Sequence, residues 1–248
     1  MDLEKSKEEF LKYTENYDLK NSHIIGKQKH SLRVMEISEQ IAKGLNLTQE
    51  ENELATLIGL LHDIARFEQY TRYQTFKDFI SIDHGDLGVE ILNKDIRKYI
   101  ETDKYDEIIK IAIKNHNKYA IEEGLTEEQE LFAKIVRDAD KIDIIYEAVE
   151  MFWNGKEIEI ENSNITPDVL EQFKNKRQIN RMVKKTPIDD VVSVLAFIFD
   201  INYDISLEII KNNNYIDKVL DRYNIKDEKT KKEIEEVRKI AEGYIRKM

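Results

Sequence analysis

At 248 residues the chain is long enough for one large domain with a sizeable core. Charged residues make up 36% and hydrophobic residues 41%, and two prolines and eight glycines leave few breaks, so a helix-rich globular protein is expected. A net charge of -11 argues against a broad nucleic-acid-binding face, and the lack of cysteine excludes a disulfide framework or a thiolate metal site. Any metal must use histidine and carboxylate. No apolar run reaches the roughly 18 residues of a membrane span, and Met1-Asp2-Leu3-Glu4-Lys5 does not read as a signal peptide. A cytoplasmic location, with no membrane partner, is expected.

In chain order, residues 3–17 read as a charged amphipathic helix carrying Phe10, Leu11, Tyr13 and Tyr17. A second helix runs from about His23 to Lys43, with Val34, Ile37 and Ile41 as its apolar stripe and Gly44 as its cap. His30 sits on that stripe, and Arg33 lies one turn further on. Thr48 and Glu51 form a capping box that opens a third helix over 48–66. Leu54, Leu57, Ile58, Leu61, Ile64 and Ala65 recur at helical spacing, and Leu60 widens the apolar side, so this helix is expected to be buried on most faces. It carries the adjacent pair His62-Asp63 and then Arg66. Residues 67–83 lack regular pattern and read as a loop rich in aromatics and cations, either a functional loop or a packed surface one.

A new helix starts near Asp83 or His84, with His84, Leu87, Gly88, Ile91 and Leu92 on one face. The next, about 104–117, ends on His116. Thr126 and Gln129 form another capping box, opening a long helix through Arg137-Asp138-Ala139-Asp140-Lys141-Ile142-Asp143. Its three aspartates lie among apolar residues on nearly every face, so periodicity does not choose which points inward. A short alternating stretch, Glu157-Ile158-Glu159-Ile160, reads as a strand or extended loop, and 153–166 is the one plausible seam. Thr166-Pro167 and Thr186-Pro187 read as helix starts. The 187–200 helix is apolar enough to be core or a subunit interface. The last helix, about 226–247, turns Ile234, Val237, Ile240, Ala241 and Tyr244 to one side.

Four of the five histidines, His30, His62, His84 and His116, lie on apolar faces or at the ends of apolar helices. Any one alone reads as a core histidine with a hydrogen-bond partner. His62-Asp63 alone reads equally as a hydrogen bond tying off a helix end or as a metal site, because a buried carboxylate needs a compensating partner. Four such histidines together with two or more buried aspartates favour the second reading. Imidazole and carboxylate together suit iron, zinc, manganese, cobalt or nickel.

This ordered set resembles the HD superfamily of metal-dependent phosphohydrolases. The family's first histidine matches His30 in Lys29-His30-Ser31-Leu32-Arg33-Val34, and its His-Asp pair matches Leu61-His62-Asp63-Ile64. Its later aspartate matches Asp140, with Asp138 as the runner-up. The two further histidines of its two-metal members match His84 and His116. The resemblance spans about 23–150.

It implies an all-α HD-domain helical fold; residues 155–248 lie outside the resemblance, and their helix starts add C-terminal helices to it. The expected organisation is a metal-binding domain over 1–153 and a helical extension over 154–248, packed on the same domain. It also implies one or two divalent transition metals, with magnesium as a further candidate. One would be held by His30, His62, Asp63 and Asp140, and a second by Asp63, His84 and His116. The expected reaction is hydrolysis of a phosphate ester by a metal-activated water, with Asp63 as bridge and proton acceptor. Arg66, Arg33 and Lys141 are the substrate-phosphate candidates, although Arg66 has an alternative as an ion-pair partner within the fold. Tyr70, Arg72, Tyr73 and Lys77 either stack a base, cover the site or simply pack. His23 is expected to be structural or exposed. The expected partner is a small phosphorylated substrate such as a nucleotide, and not long nucleic acid. The C-terminal segment either covers the active-site mouth or forms a homodimer. The alternatives are a di-iron oxygenase on the same cage and a non-catalytic, metal-stabilised sensor or scaffold.

Overall fold

Helical spacing of the apolar residues is borne out by the helices that form, with one expected helix broken in two. In the computed structural model, residues 1–150 and 160–246 are described, and among them every regular element is helical and none is a strand. Among the same residues no helix is long and apolar enough to cross a membrane. The chain divides into two units, Met1–Asp140 and Lys141–Met248. Of the stretch 157–160, expected as strand or extended loop, 157–159 lie outside the described residues and Ile160 is helical; half of the expected seam over 153–166 also lies outside them.

The first unit contains α1 (Leu3–Thr14), α2 (Ser22–Gly44), α3 (Gln49–Leu61), α4 (Ala65–Tyr73), α5 (His84–Asp95) and α6 (Asp106–Asn115), and the start of α7 (Glu127–Glu150). Both expected capping boxes form. Thr48 N–H donates to Glu51 at 2.7 Å and Glu51 N–H donates back to Thr48 at 3.3 Å. Thr126 and Gln129 exchange the same pair of bonds at 3.0 and 3.2 Å. Residues 54–65 are buried without exception, as the apolar run requires.

Three local expectations are corrected. Gly44 does not cap α2. Asn46 adopts the left-handed conformation instead (φ 57°), and the Asn46 and Leu47 N–H groups close onto Lys43 and Ala42 carbonyls at 3.0 and 3.2 Å. Asparagine tolerates that conformation, so the Schellman closure falls two residues later.

The 48–66 helix is not continuous. It breaks at His62-Asp63-Ile64, where Ile64 N–H reaches Leu61 and Arg66 N–H reaches Asp63, both three residues back. The His62 ring takes the Gly59 carbonyl at 2.7 Å, and the Tyr13 hydroxyl takes the Ile64 carbonyl at 3.1 Å, so the broken turn keeps its polar groups paired.

The expected loop over 67–83 is shorter, because 65–73 is helical. Phe67 and Gln69 are fully buried, and Phe67 packs edge-on against Phe10 and Tyr13 with centroids 5.9 and 6.0 Å apart. The helix stops at Gln74 (φ 53°), and 74–83 contains only the short 3₁₀ turn Asp78–Ile80.

Two glycines set close approaches. A Cβ on Gly59 would meet Ser38 Oγ at 2.5 Å and the Val34 carbonyl at 2.8 Å, so α3 lies flush on α2 only because this position is bare. A Cβ on Gly85 would meet Asn117 Oδ1 at 2.7 Å and the Lys114 carbonyl at 3.0 Å, which fixes the first turn of α5 against the end of α6.

In the second unit the helices are Pro167–Lys174, Pro187–Leu195, Asp204–Asn212, Tyr215–Asp221 and Glu228–Ile245. The helix expected over 187–200 is α-helical to Leu195 and 3₁₀ from Ala196 to Asp200. Its Ile188, Val191, Val192, Leu195 and Ile198 are buried core. Phe173, Phe199 and Tyr244 continue that core as a chain of edge-to-face rings 4.9 and 5.1 Å apart. The last helix buries Ile234, Val237, Ala241 and Ile245.

Thr166 stands at its helix start as expected, but its hydroxyl does not bond its own helix. It donates instead to Asp189 at 2.6 Å. The buried Asp189 carboxylate also accepts from the backbone N–H of Thr166, Lys185 and Thr186 at 2.8, 2.8 and 3.0 Å. Burial opposes its ionisation, yet the Lys185 and Thr166 hydrogen bonds hold its pKa below the usual carboxylate value.

A depressed folded pKa means that the stabilisation is complete above the ordinary carboxylate range and is lost as pH falls through the lowered value. Asp189→Asn is therefore expected to cost about 2 kcal/mol at pH 7, measured by denaturant unfolding. The gap from wild type should narrow on acidification toward pH 2; a gap that is constant with pH would contradict this role.

Candidate metal centre

Most of the expected ligands sit at helix ends, where a side chain can point along the axis rather than out from it. His30 comes from the middle of α2. His62 follows α3, and Asp63 stands in the broken turn before α4. His84 is the first residue of α5, His116 follows α6, and Asp140 closes the first unit on α7. His30 and His62 are fully buried, and Asp63, His84 and His116 are 2%, 2% and 5% exposed.

Asp63 is the hub. Its Oδ2 lies 3.4 Å from His30 Nε2 and 3.7 Å from His62 Nε2. Its Oδ1 lies 3.3 Å from His84 Nε2 and 3.4 Å from His116 Nε2. One oxygen thus faces each histidine pair. Asp140 Oδ1 joins the first pair, 3.1 Å from His30 and 3.7 Å from His62. The groupings His30–His62–Asp140 and His62–Asp63–His116 each place ligand atoms within 4.8 Å of one another. Asp138 is fully buried on the same helix but enters no such grouping among the described residues.

The tautomers follow from the hydrogen bonds. The Nδ1 atoms of His62 and His116 face the carbonyls of Gly59 and Ile113 at 2.7 and 2.6 Å, and that of His84 faces the Asp78 carboxylate at 2.7 Å. Those oxygens only accept, so each Nδ1 carries the proton. In neutral His84 and His116 the two Nε2 lone pairs then face each other at 2.9 Å. No neutral hydrogen bond can satisfy that contact, and a shared cation can. This favours a bound cation over the reading in which the histidines only tie off helix ends.

Charge points the same way. Burial lowers the His62 pKa, and burial followed by the Arg66 charge lowers that of His84 to about 4. Burial alone would raise Asp63, but Lys27, His62 and Arg66 outweigh it and hold the carboxyl well below its usual range. Asp140 is likewise held low against burial by His30 and His62. Neutral imidazoles beside ionised carboxylates are the donor set that a divalent cation requires.

Supporting residues that the sequence reading missed complete the site. Lys27 donates to Asp63 Oδ2 at 2.9 Å, from one turn before His30 on α2. Asp78 orients His84 and also accepts from Arg66 at 3.1 Å and Gln69 at 2.8 Å. Arg137 donates to the carbonyls of Asn115 and Lys118 at 2.9 and 2.6 Å, closing the end of α6 beneath His116. Helical spacing from His30 would have found Lys27. Asp78 lies in an irregular loop, and Arg137 acts across the fold, so neither leaves a local signal.

The expected substrate residues are placed differently from one another. Arg66 bonds Asp63 at 3.3 Å and Asp78, Gln69 and the Phe76 carbonyl, which is the alternative weighed for it. Arg33 lies partly exposed on α2. Lys141 belongs to the second unit, where its ammonium lies 2.7 Å from Asp200. Tyr70 and Phe76 stack at 4.9 Å, with the exposed His23 4.9 Å from Tyr70. Arg72 pairs with Glu68, and Tyr73 and Lys77 are exposed.

The HD domain family model matches residues 28–145. The chain carries an HD domain over these residues. The HD superfamily is one of metal-dependent hydrolases whose domains bind divalent metals, and the matched segment contains all six expected ligands, Asp63 and the five residues around it. No curated protein and no solved structure matches the chain.

If each histidine pair holds its own metal, variants should separate two metals. Elemental analysis of manganese-loaded protein should show metal lost from Asp140→Ala and retained in Asp138→Ala. His84→Ala and His116→Ala should each lose only one of two metals. Complete loss in His84→Ala would contradict the division.

Proposed function

We propose that this HD-domain protein is a metal-dependent phosphohydrolase that cleaves a phosphate ester of a nucleotide or another small phosphorylated metabolite. One observation carries the reading: a single ionised carboxylate, Asp63, faces a histidine pair with each oxygen and is flanked by two cationic side chains, Lys27 and Arg66. One divalent cation would be held by His30, His62, Asp63 and Asp140, and a second by Asp63, His84 and His116. Bound there, iron, manganese, zinc, cobalt, nickel or magnesium supplies Lewis-acid charge to phosphoryl oxygens and makes water a competent nucleophile at neutral pH.

The chain's own residues supply the rest. Asp63 stays anionic at neutral pH, which suits a ligand shared by two cations, and it is the carboxylate placed to accept the water's proton. Asp78 and the Gly59 and Ile113 carbonyls fix His84, His62 and His116 with Nε2 free of protons. Arg66 Nε aligns Asp63 Oδ1 while Nη1 anchors the 76–78 stretch beside it. The net charge of -11 suits a small ligand met by local cations better than a long polyanion. A homodimer remains compatible with this assignment, and the apolar Pro187–Leu195 face is already used as core.

The test is turnover of a panel of phosphomonoesters and phosphodiesters by manganese-loaded protein, read as released phosphate or alcohol. Wild type should hydrolyse at least one class, and Asp63→Ala should lose about 1,000-fold or more in kcat/KM, as expected when a group on which the whole site depends is removed. Oxygen uptake with a polyol and no phosphate release would overturn the assignment in favour of an oxygenase.

A further inference from the structure

The side chain of Lys27 is 20% exposed, and its ammonium lies at the edge of the centre, 2.9 Å from Asp63 Oδ2. The same nitrogen stands 5.6 Å from the centre of the Phe76 ring. Among the described residues these are its only partners, so one of three ammonium protons is taken by a carboxylate and the rest meet a ring face or nothing in the protein.

Arg66 approaches Asp63 from the other oxygen and stands 5.6 Å from the same ring. Its Nε and Nη1 are committed, and Nη2 has no hydrogen bond among the described residues. Phe76 is therefore flanked by two cations that both touch Asp63 and both retain donors. Two cations with unused donors beside one carboxylate and one ring suit a group with several anionic oxygens.

We propose that Lys27 binds a non-bridging phosphoryl oxygen of the substrate, with Arg66 Nη2 as the second donor and the Phe76 ring fixing the spacing between them. This rests on the phosphate-ester reading and adds to it a residue three positions before His30 on α2. Such a pair would favour a terminal phosphoryl dianion over a singly charged diester, because both cations are directed at one anion.

The experiment is calorimetric titration of manganese-loaded full-length protein with inorganic phosphate, with metal content measured on each sample. The variants are Lys27→Met, which keeps the stem and removes the charge, and Lys27→Arg. Lys27→Met should bind phosphate about tenfold more weakly or worse, Lys27→Arg within about threefold of wild type, and both should keep the wild-type metal content. Equal phosphate affinity in Lys27→Met, no phosphate binding by wild type, or metal lost from Lys27→Met would each overturn the assignment. The last would make Lys27 a support for Asp63 alone. Lys27-dependent phosphate binding by a protein that cleaves no phosphate ester would leave Lys27 standing and remove the hydrolase reading instead.

Discussion

A carboxylate buried to 2% exposure stays ionised only if positive charge surrounds it, and Asp63 is built into such a setting. Lys27 and Arg66 reach one oxygen each, and two pairs of imidazole nitrogens face the same two oxygens. Burial pushes His62 and His84 toward the neutral form, and the Nδ1 bonds of His62, His84 and His116 turn their Nε2 atoms inward. The protein thus concentrates electron pairs around a small space in its core, an arrangement that is costly without a cation and favourable with one.

The backbone serves this arrangement. Breaking the helix at His62-Asp63-Ile64 lets adjacent residues point into one centre, which a continuous helix would spread by about 100° per residue. Bare positions at Gly59 and Gly85 allow α2 against α3 and α5 against α6 at distances a methyl group would forbid. The first approach brings His30 to His62, and the second brings His84 to His116. Arg137 then holds the end of α6, so the last histidine is fixed from α7 as well as from its own helix.

Much of this was legible from residue pattern. Apolar periodicity and two capping boxes located the helices, and four histidines on apolar faces marked the centre. Periodicity did not choose between Asp138 and Asp140, because both are surrounded by apolar neighbours. The family pattern pointed to Asp140, and the fold brings Asp140 to His30 and His62. The break after Leu61 was not legible, since Ile64 and Ala65 continue the apolar spacing and only tertiary partners such as Tyr13 disclose the turn. The helix over 65–73 was hidden by its aromatics, which have weak helical preference and are held there by burial of Phe67. Asp78 and Arg137 act on histidines through space, and one-dimensional spacing carries no trace of either.

The central claim is that Asp63 bridges two cations. Anomalous diffraction from crystals of manganese-loaded protein at the metal's absorption edge tests it directly. Two peaks, one beside each oxygen of Asp63, with His30, His62 and Asp140 around one and His84 and His116 around the other, are the predicted result. No peak at Asp63 after loading, or metal bound only away from it, would contradict the account and leave the cluster a purely structural network.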